Sequence, residues 1–233
     1  MLMTAYATTS NTIYLSRFQQ LLLSLSPDSV ADIGGPVSDF AAQVRASVPV
    51  TCVVSLGAAE PHPLSGTFPV VNGSEDLFPL EDDSVDLALV MHVAHRCLDW
   101  PSVLTQSLRI ARRGVLVIED HYDPGLPSQV LANHLDGWSK AIDRRVGVTT
   151  FEAPSGARLA RSLVLRTDLA VTLGTWLDVS YRNREDVDAE TEAKLAGPGV
   201  TPSDSGELQV ILGAMDRIGL TRPGAVWMQV LKR

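Results

Sequence analysis

The chain has 233 residues, 45% hydrophobic and 20% charged, with a formal net charge of −8. It can bury a sizeable core without staples, is too apolar for disorder over most of its length, and is too acidic for a broad grip on a phosphate backbone. Two cysteines, Cys52 and Cys97, cannot build a disulfide framework, and no Cys/His spacing suits zinc, so no metal site is expected. The apolar run at 21–25 is far too short to span a bilayer and lacks the basic flank of a signal peptide. The expectation is a soluble, cytoplasmic protein of one domain.

Residues 1–27 are polar with scattered aromatics. They read as one or two amphipathic helices, with Ile13, Tyr14, Phe18, Leu21, Leu22 and Leu25 as the apolar stripe. Tyr6 and Tyr14 read as packing aromatics. From residue 29 the pattern becomes regular. Apolar runs at 29–33, 50–55, 67–71, 85–91 and 115–119 alternate with helix-like segments at 39–47 and 101–112. The runs are mostly unbroken rather than alternating, as expected for parallel strands covered on both faces. The second helix opens on Pro101, and Arg112-Arg113-Gly114 reads as its C-terminal cap. Glu81-Asp82-Asp83 reads as a solvated turn.

Beyond residue 123 the signals weaken. Residues 127–142 look helical, with Arg144-Arg145 as a helix C-terminal charge cluster. Residues 159–178 are apolar but ambiguous in period. Residues 182–206, rich in Asp, Glu, Gly and Pro, read as a mobile excursion. Residues 207–218 form a strong amphipathic pattern stopped by Gly219, and 226–231 reads as a closing strand. One α/β domain is expected. It would comprise an N-terminal helical cap (1–28), a core (29–123), substrate-side helices with the polar excursion (124–206), and a closing helix and strand (207–233).

The first strand runs into VADIGGPVS at 30–38, followed directly by a helix. Glycines at such a turn let a ligand approach the backbone, and helix N-termini present free N–H groups. Further on, GSEDLFPLEDDSVD at 73–86 leads into the strand LALVM at 87–91, then His92-Val93-Ala94-His95, Asp99-Trp100-Pro101 and the strand VLVIE at 115–119. In order and spacing, residues 29–121 resemble the class I S-adenosylmethionine-dependent methyltransferases. They are most similar to the branch holding the ubiquinone/menaquinone-biosynthesis enzymes, with its "GDAEDLPFEDNSFDLV" block.

That resemblance implies a Rossmann-like, doubly wound, mostly parallel seven-stranded sheet with helices on both faces, and S-adenosyl-L-methionine as cofactor. It implies that Asp32, Gly34 and Gly35 belong to the turn cupping the methionine and ribose portions. Ser55 stands where the family places a ribose-binding acid, and Ser74 and Glu75 where an acid meets the adenine amino group. Met91 and His92 would flank the sulfonium and adenine. The sequence departs from the family at four places: Pro36 and Ser38 replace glycines of the D-x-G-x-G-x-G turn, Ser55 replaces the ribose acid with Glu60 the nearest carboxylate, and Ser74 replaces the adenine-binding Asp.

Methyl transfer from an activated sulfonium asks for in-line alignment, exclusion of water and, for some nucleophiles, a base. The segment Glu119-Asp120-His121-Tyr122 would open onto the substrate pocket. His121 is the first base candidate, Tyr122 a positioning hydroxyl, and His92 the second base candidate. His95 reads as a packing residue and His134 as a helix-surface residue. The expected partner is a small-molecule or peptide acceptor, with no nucleic acid and no membrane, and a homodimer is allowed. The competing reading is a methyltransferase-like partner subunit without transferase activity, or one catalysing a different reaction on the same fold. A nicotinamide dehydrogenase needs G-x-G-x-x-G and a distal acid, and the sequence offers neither.

Overall fold

Strands buried on both faces need unbroken apolar runs, and the chain supplies them. A computed structural model describes residues 12–35, 38–56 and 62–233, without the side chains of Thr12 and Ile13; Tyr6, Pro36 and Glu60 lie outside the described residues. Among the described residues, seven strands form one sheet. They are β1 (Val30–Ile33), β2 (Val50–Leu56), β3 (Val70–Gly73), β4 (Val85–Met91), β5 (Ala111–His121), β6 (Leu169–Trp176) and β7 (Gly224–Lys232). Their order is β3-β2-β1-β4-β5-β7-β6. The pairings among β1 to β5 are all parallel, and every residue of β1 and β4 is buried. This is the mostly parallel, Rossmann-like α/β sheet that the sequence led us to expect.

The chain winds from β1 outward to β3, then crosses back to β4 on the other side of β1. The carboxyl ends of β1 and β4 therefore flank a topological switch point, the place where open α/β sheets bind ligands.

Several elements differ from expectation for identifiable reasons. β3 starts later than residue 67 because Thr67 and Phe68 both donate to the Leu64 carbonyl in a turn, while Val70 pairs with Val53. Helix α3 (Trp100–Ile110) is capped by Asp99, which accepts from the Ser102 amide at 3.2 Å, and ends before Arg112. Arg112, Arg113 and Gly114 lie inside β5, so they are not its cap. Gly114, at φ +153°, is needed because a Cβ there would lie 2.0 Å from the Val230 carbonyl of β7. The ambiguous stretch at 159–178 resolves into the end of helix α5 (Gly156–Ala160), a 3-10 turn (Arg161–Leu163) and β6.

The polar stretch at 182–206 is not an irregular excursion. It contains helix α6 (Arg184–Leu195), N-capped by Asn183, which accepts from the Glu185 amide at 3.1 Å. It also contains the first turn of α7 (Pro202–Ile218), closed by a Thr201/Asp204 capping box. Only Val187 and Thr191 of α6 are buried, so its composition is that of a helix with one narrow inner face.

The described residues divide into two compact units. The first holds the described residues up to Glu119, with 155–174 and 226–233. Its core includes Ile33, Val54, Phe78, Val90, Leu104 and Val117. Within it, helix α1 (Thr12–Ser24) buries Tyr14, Phe18 and Leu22, the i, i+4, i+8 positions of its stripe. Tyr14 and Phe18 meet Phe40 of helix α2 (Asp39–Arg45) at ring-centroid distances of 5.6 and 5.8 Å. Both cysteines are buried in this unit as free thiols.

The second unit, residues 120–154 and 175–225, packs helix α4 (Pro127–Arg145) on α7 through Leu131, Leu135, Trp138, Leu208, Ile211 and Met215. No described helix is long and apolar enough to cross a membrane.

Candidate functional site

The turn after β1 is the centre of the first unit's switch point. Gly34 and Gly35 both adopt left-handed backbone, at φ +81° and +50°. The Gly34 amide extends the ladder by donating to Val54 at 2.7 Å. A Cβ on Gly34 would come within 2.6 Å of the Val93 side chain, just past β4. One on Gly35 would meet Val53 at 2.5 Å and the His62 ring at 2.8 Å. The two walls of the crevice thus touch across the turn, and only glycine allows it. Ser38, where the family has a further glycine, serves instead as N-cap of α2, its hydroxyl accepting from the Ala41 amide at 3.2 Å.

Asp32 is fully buried in β1. Its Oδ2 accepts from Arg45 Nε at 2.6 Å, while Oδ1 has no hydrogen-bond partner among the described residues. Burial raises its carboxyl to about 6, against the opposing charge and hydrogen bond of Arg45. His62 is held beside the turn by a backbone bond to Gly34, and its Nδ1 accepts from the Leu64 amide at 3.2 Å. Partial burial, the Arg45 charge adding to it, keeps this imidazole below its ordinary pKa. Neither Arg45 nor His62 is legible in the sequence, because Arg45 lies 13 residues from Asp32 and His62 lies well beyond the motif, with no periodic link to it.

The other expected cofactor residues fall along the same edge. Ser55 is buried in β2, paired in register with Asn72 of β3. Met91 is fully buried at the end of β4. His92 takes φ +52°, which is rare for a non-glycine residue, and its ring stands edge-on to Phe40 at 5.4 Å. The adenine-side candidates are otherwise engaged. Ser74 is exposed and donates to Asp76 at 2.6 Å. Glu75 accepts the amides of Leu98 at 2.9 Å and Asp99 at 2.5 Å.

Glu119, expected to open onto the pocket, is instead fully buried. Its Oε1 accepts the Ala94 amide at 2.5 Å and its Oε2 meets His95 Nδ1 at 2.9 Å. Burial pushes this carboxyl up, but the hydrogen bond from His95, with that of the Ala94 amide, holds it below the usual range. His95 is therefore more than packing; the signal that could have found it is an acid at the end of β5 opposite a histidine after β4.

His121 and Tyr122 follow at the end of β5 in the second unit. His121 is half-buried, and Tyr122 is packed against the core that includes Leu131 and Leu212. Nearby, the buried Gln129 accepts from the Asp123 amide at 2.7 Å and donates to the Asp178 carbonyl at 2.7 Å, closing the loop that follows β5. His134 is exposed as expected, pairs with Glu207 at 3.0 Å, and lines a shallow apolar cleft of about 400 Å³ with Pro124, Pro127, Val130 and Ile218.

No protein-family model matches the chain, and no curated protein matches it. Solved structures do. The YcgJ protein of Bacillus subtilis is similar over 94% of this chain and 99% of its own, at a TM-score of 0.60 and 15% identity. A SAM-dependent methyltransferase of Archaeoglobus fulgidus matches 96% of this chain and 95% of its own, at 0.54 and 14%. A cyclopropane-fatty-acyl-phospholipid synthase-like protein of Lactobacillus casei matches 96% and 94%, at 0.56 and 15%. At these identities the likeness is one of fold.

Proposed function

From a chain with the fold of the class I S-adenosylmethionine-dependent methyltransferases, we propose that it binds S-adenosyl-L-methionine at the β1/β4 switch point and methylates a small-molecule or peptide acceptor by in-line displacement. The observation that carries this reading is the buried Oδ1 of Asp32, which has no hydrogen-bond partner among the described residues, beside the two-glycine turn. A buried acceptor left unpaired costs about 1–3 kcal/mol, and the ammonium of an amino-acid ligand would satisfy it. The residues fit the cofactor at its methionine end: Asp32 would receive the ammonium, and the Gly34–Gly35 turn would face the methionine portion.

Bound there, the cofactor supplies an electrophilic methyl on a sulfonium. The chain's own work is to hold that end, exclude water with buried Met91 and Val93, and orient the acceptor. Within the first unit, His92 at the mouth of β4 is the base candidate where the acceptor needs one. The net charge of −8 favours a small or peptidic acceptor over a nucleic acid. Calorimetry with S-adenosylmethionine and S-adenosylhomocysteine tests binding. We expect micromolar to sub-millimolar affinity that Asp32→Ala weakens by about tenfold or more. Mass spectrometry of candidate acceptors then reads the transferred methyl.

A second reading, a partner subunit without transferase activity, is favoured by the adenine side. There Glu75 is spent on two backbone amides and Ser74 on Asp76. No binding at millimolar cofactor would select it.

A further inference from the structure

We propose that Glu119 and His95 form a positioning pair that fixes the β4 wall of the crevice against the glycine turn. The carboxylate is fully buried, and both of its described hydrogen-bond partners, the Ala94 amide and the His95 ring, belong to the segment directly after β4. His95 is oriented for this role. Arg96 Nε approaches its Nε2 at 3.3 Å as a donor, which leaves Nδ1 as the protonated nitrogen facing Glu119.

The segment needs such a hold. The His92 amide makes a last ladder bond to the Ile118 carbonyl at 2.8 Å, and the backbone then reverses through φ +52° into a single 3-10 turn (Ala94–Arg96). A left-handed non-glycine residue persists only where its surroundings over-determine it. Glu119 supplies that constraint from the neighbouring strand.

The two residues upstream of the latch are the ones that meet the opposite wall. Val93 packs where a Gly34 side chain would be, and His92 stacks edge-on against Phe40 of α2. The physical chain therefore runs from Glu119 to Ala94 and His95, from there to His92 and Val93, and on to Gly34 and Phe40. Glu119 itself has no exposed surface with which to touch a ligand, so it acts through this turn.

The consequence for the cofactor rests on the methyl-transfer reading, but the coupling of the two walls does not. Three full-length variants test it: His95→Ala, His95→Asn, which keeps a side-chain N–H donor, and Glu119→Gln, which keeps an acceptor for Ala94. Amide hydrogen exchange is read at Ala94, at Gly34 and at Leu89 in the middle of β4. In His95→Ala we expect Ala94 and Gly34 to exchange about tenfold faster or more, with Leu89 unchanged, and S-adenosylhomocysteine affinity to fall by a similar factor. His95→Asn should recover most of both effects.

Unchanged exchange at Gly34 in His95→Ala overturns the proposal, as does equal acceleration at all three amides, which is what loss of general stability would give. If His95→Ala does not fold, wild-type exchange at Gly34 in Glu119→Gln overturns it instead, and faster exchange there with Leu89 unchanged supports it. A wild-type protein that fails to bind S-adenosylhomocysteine ends the methyl-transfer reading, while exchange at Gly34 still decides the role of the pair.

Discussion

Asp32 and Glu119 are both buried carboxylates, and burial has been answered differently at each. Asp32 keeps one ion-pair partner and is raised to about 6, whereas Glu119 keeps an amide and an imidazole and is held low. A folded pKa above the unfolded one means the folded state holds its proton longer, so the Asp32 contribution falls as pH rises from about 4 to about 6. The full span is on the order of 3 kcal/mol. Glu119 has the opposite sign: its contribution is present above its ordinary pKa and lost as pH falls. Urea unfolding of Asp32→Asn should therefore lack the decline expected of wild type between about pH 4 and pH 6, even though the variant is less stable overall for losing the carboxylate charge opposite Arg45. At the same turn, Gly34→Ala must place a side chain at φ +81° and displace Val93, so its melting temperature should drop by several degrees. At this scale the motif made Asp32, Gly34 and Gly35 legible, since their chemistry is carried by adjacent residues. Arg45, His62 and the Glu119–His95 pair were not legible, because their partners are joined only by the folding of distant segments.

Elements were legible where burial dictates sequence. β1 and β4 are buried at every residue, so their apolar runs mark them plainly, and α3 carries its proline in the first turn as expected. α6 was invisible for the converse reason. Its exposed faces carry charges that pair within the helix, Arg184 with Asp188 at 2.7 Å, or with α4, Lys194 with Asp143 at 2.5 Å, and such a composition looks like loop. Its start depends on Asn183, so Asn183→Ala should cost about 1 kcal/mol and reduce exchange protection across 187–191. Gly114 illustrates a glycine whose reason lies in another strand. Gly114→Ala would drive a methyl into the Val230 carbonyl, and we expect it to separate β5 from β7 and to yield little folded protein on size-exclusion chromatography.

Over the whole molecule, the charge of −8 coexists with acids placed to neutralise particular cations: Asp204 grips Arg145 through both oxygens at 2.7 and 2.6 Å, and Asp86 pairs with Arg112 at 2.9 Å. With these cations engaged and the overall sign negative, the protein should run through a heparin column unretained at low salt and bind an anion exchanger. The buried thiols turn the fold into its own chemical clock. Cys97 donates to the Val93 carbonyl at 3.2 Å, and burial, with the Glu75 and Glu119 charges adding to it, pushes its thiol up to about 12; burial raises Cys52 as well. Neither can react with an alkylating reagent at pH 8 until the structure around it opens. Timed alkylation read by mass spectrometry then separates two events with no added probe: simultaneous modification of both cysteines marks global unfolding, and earlier modification of Cys97 marks release of the turn that Glu119 holds.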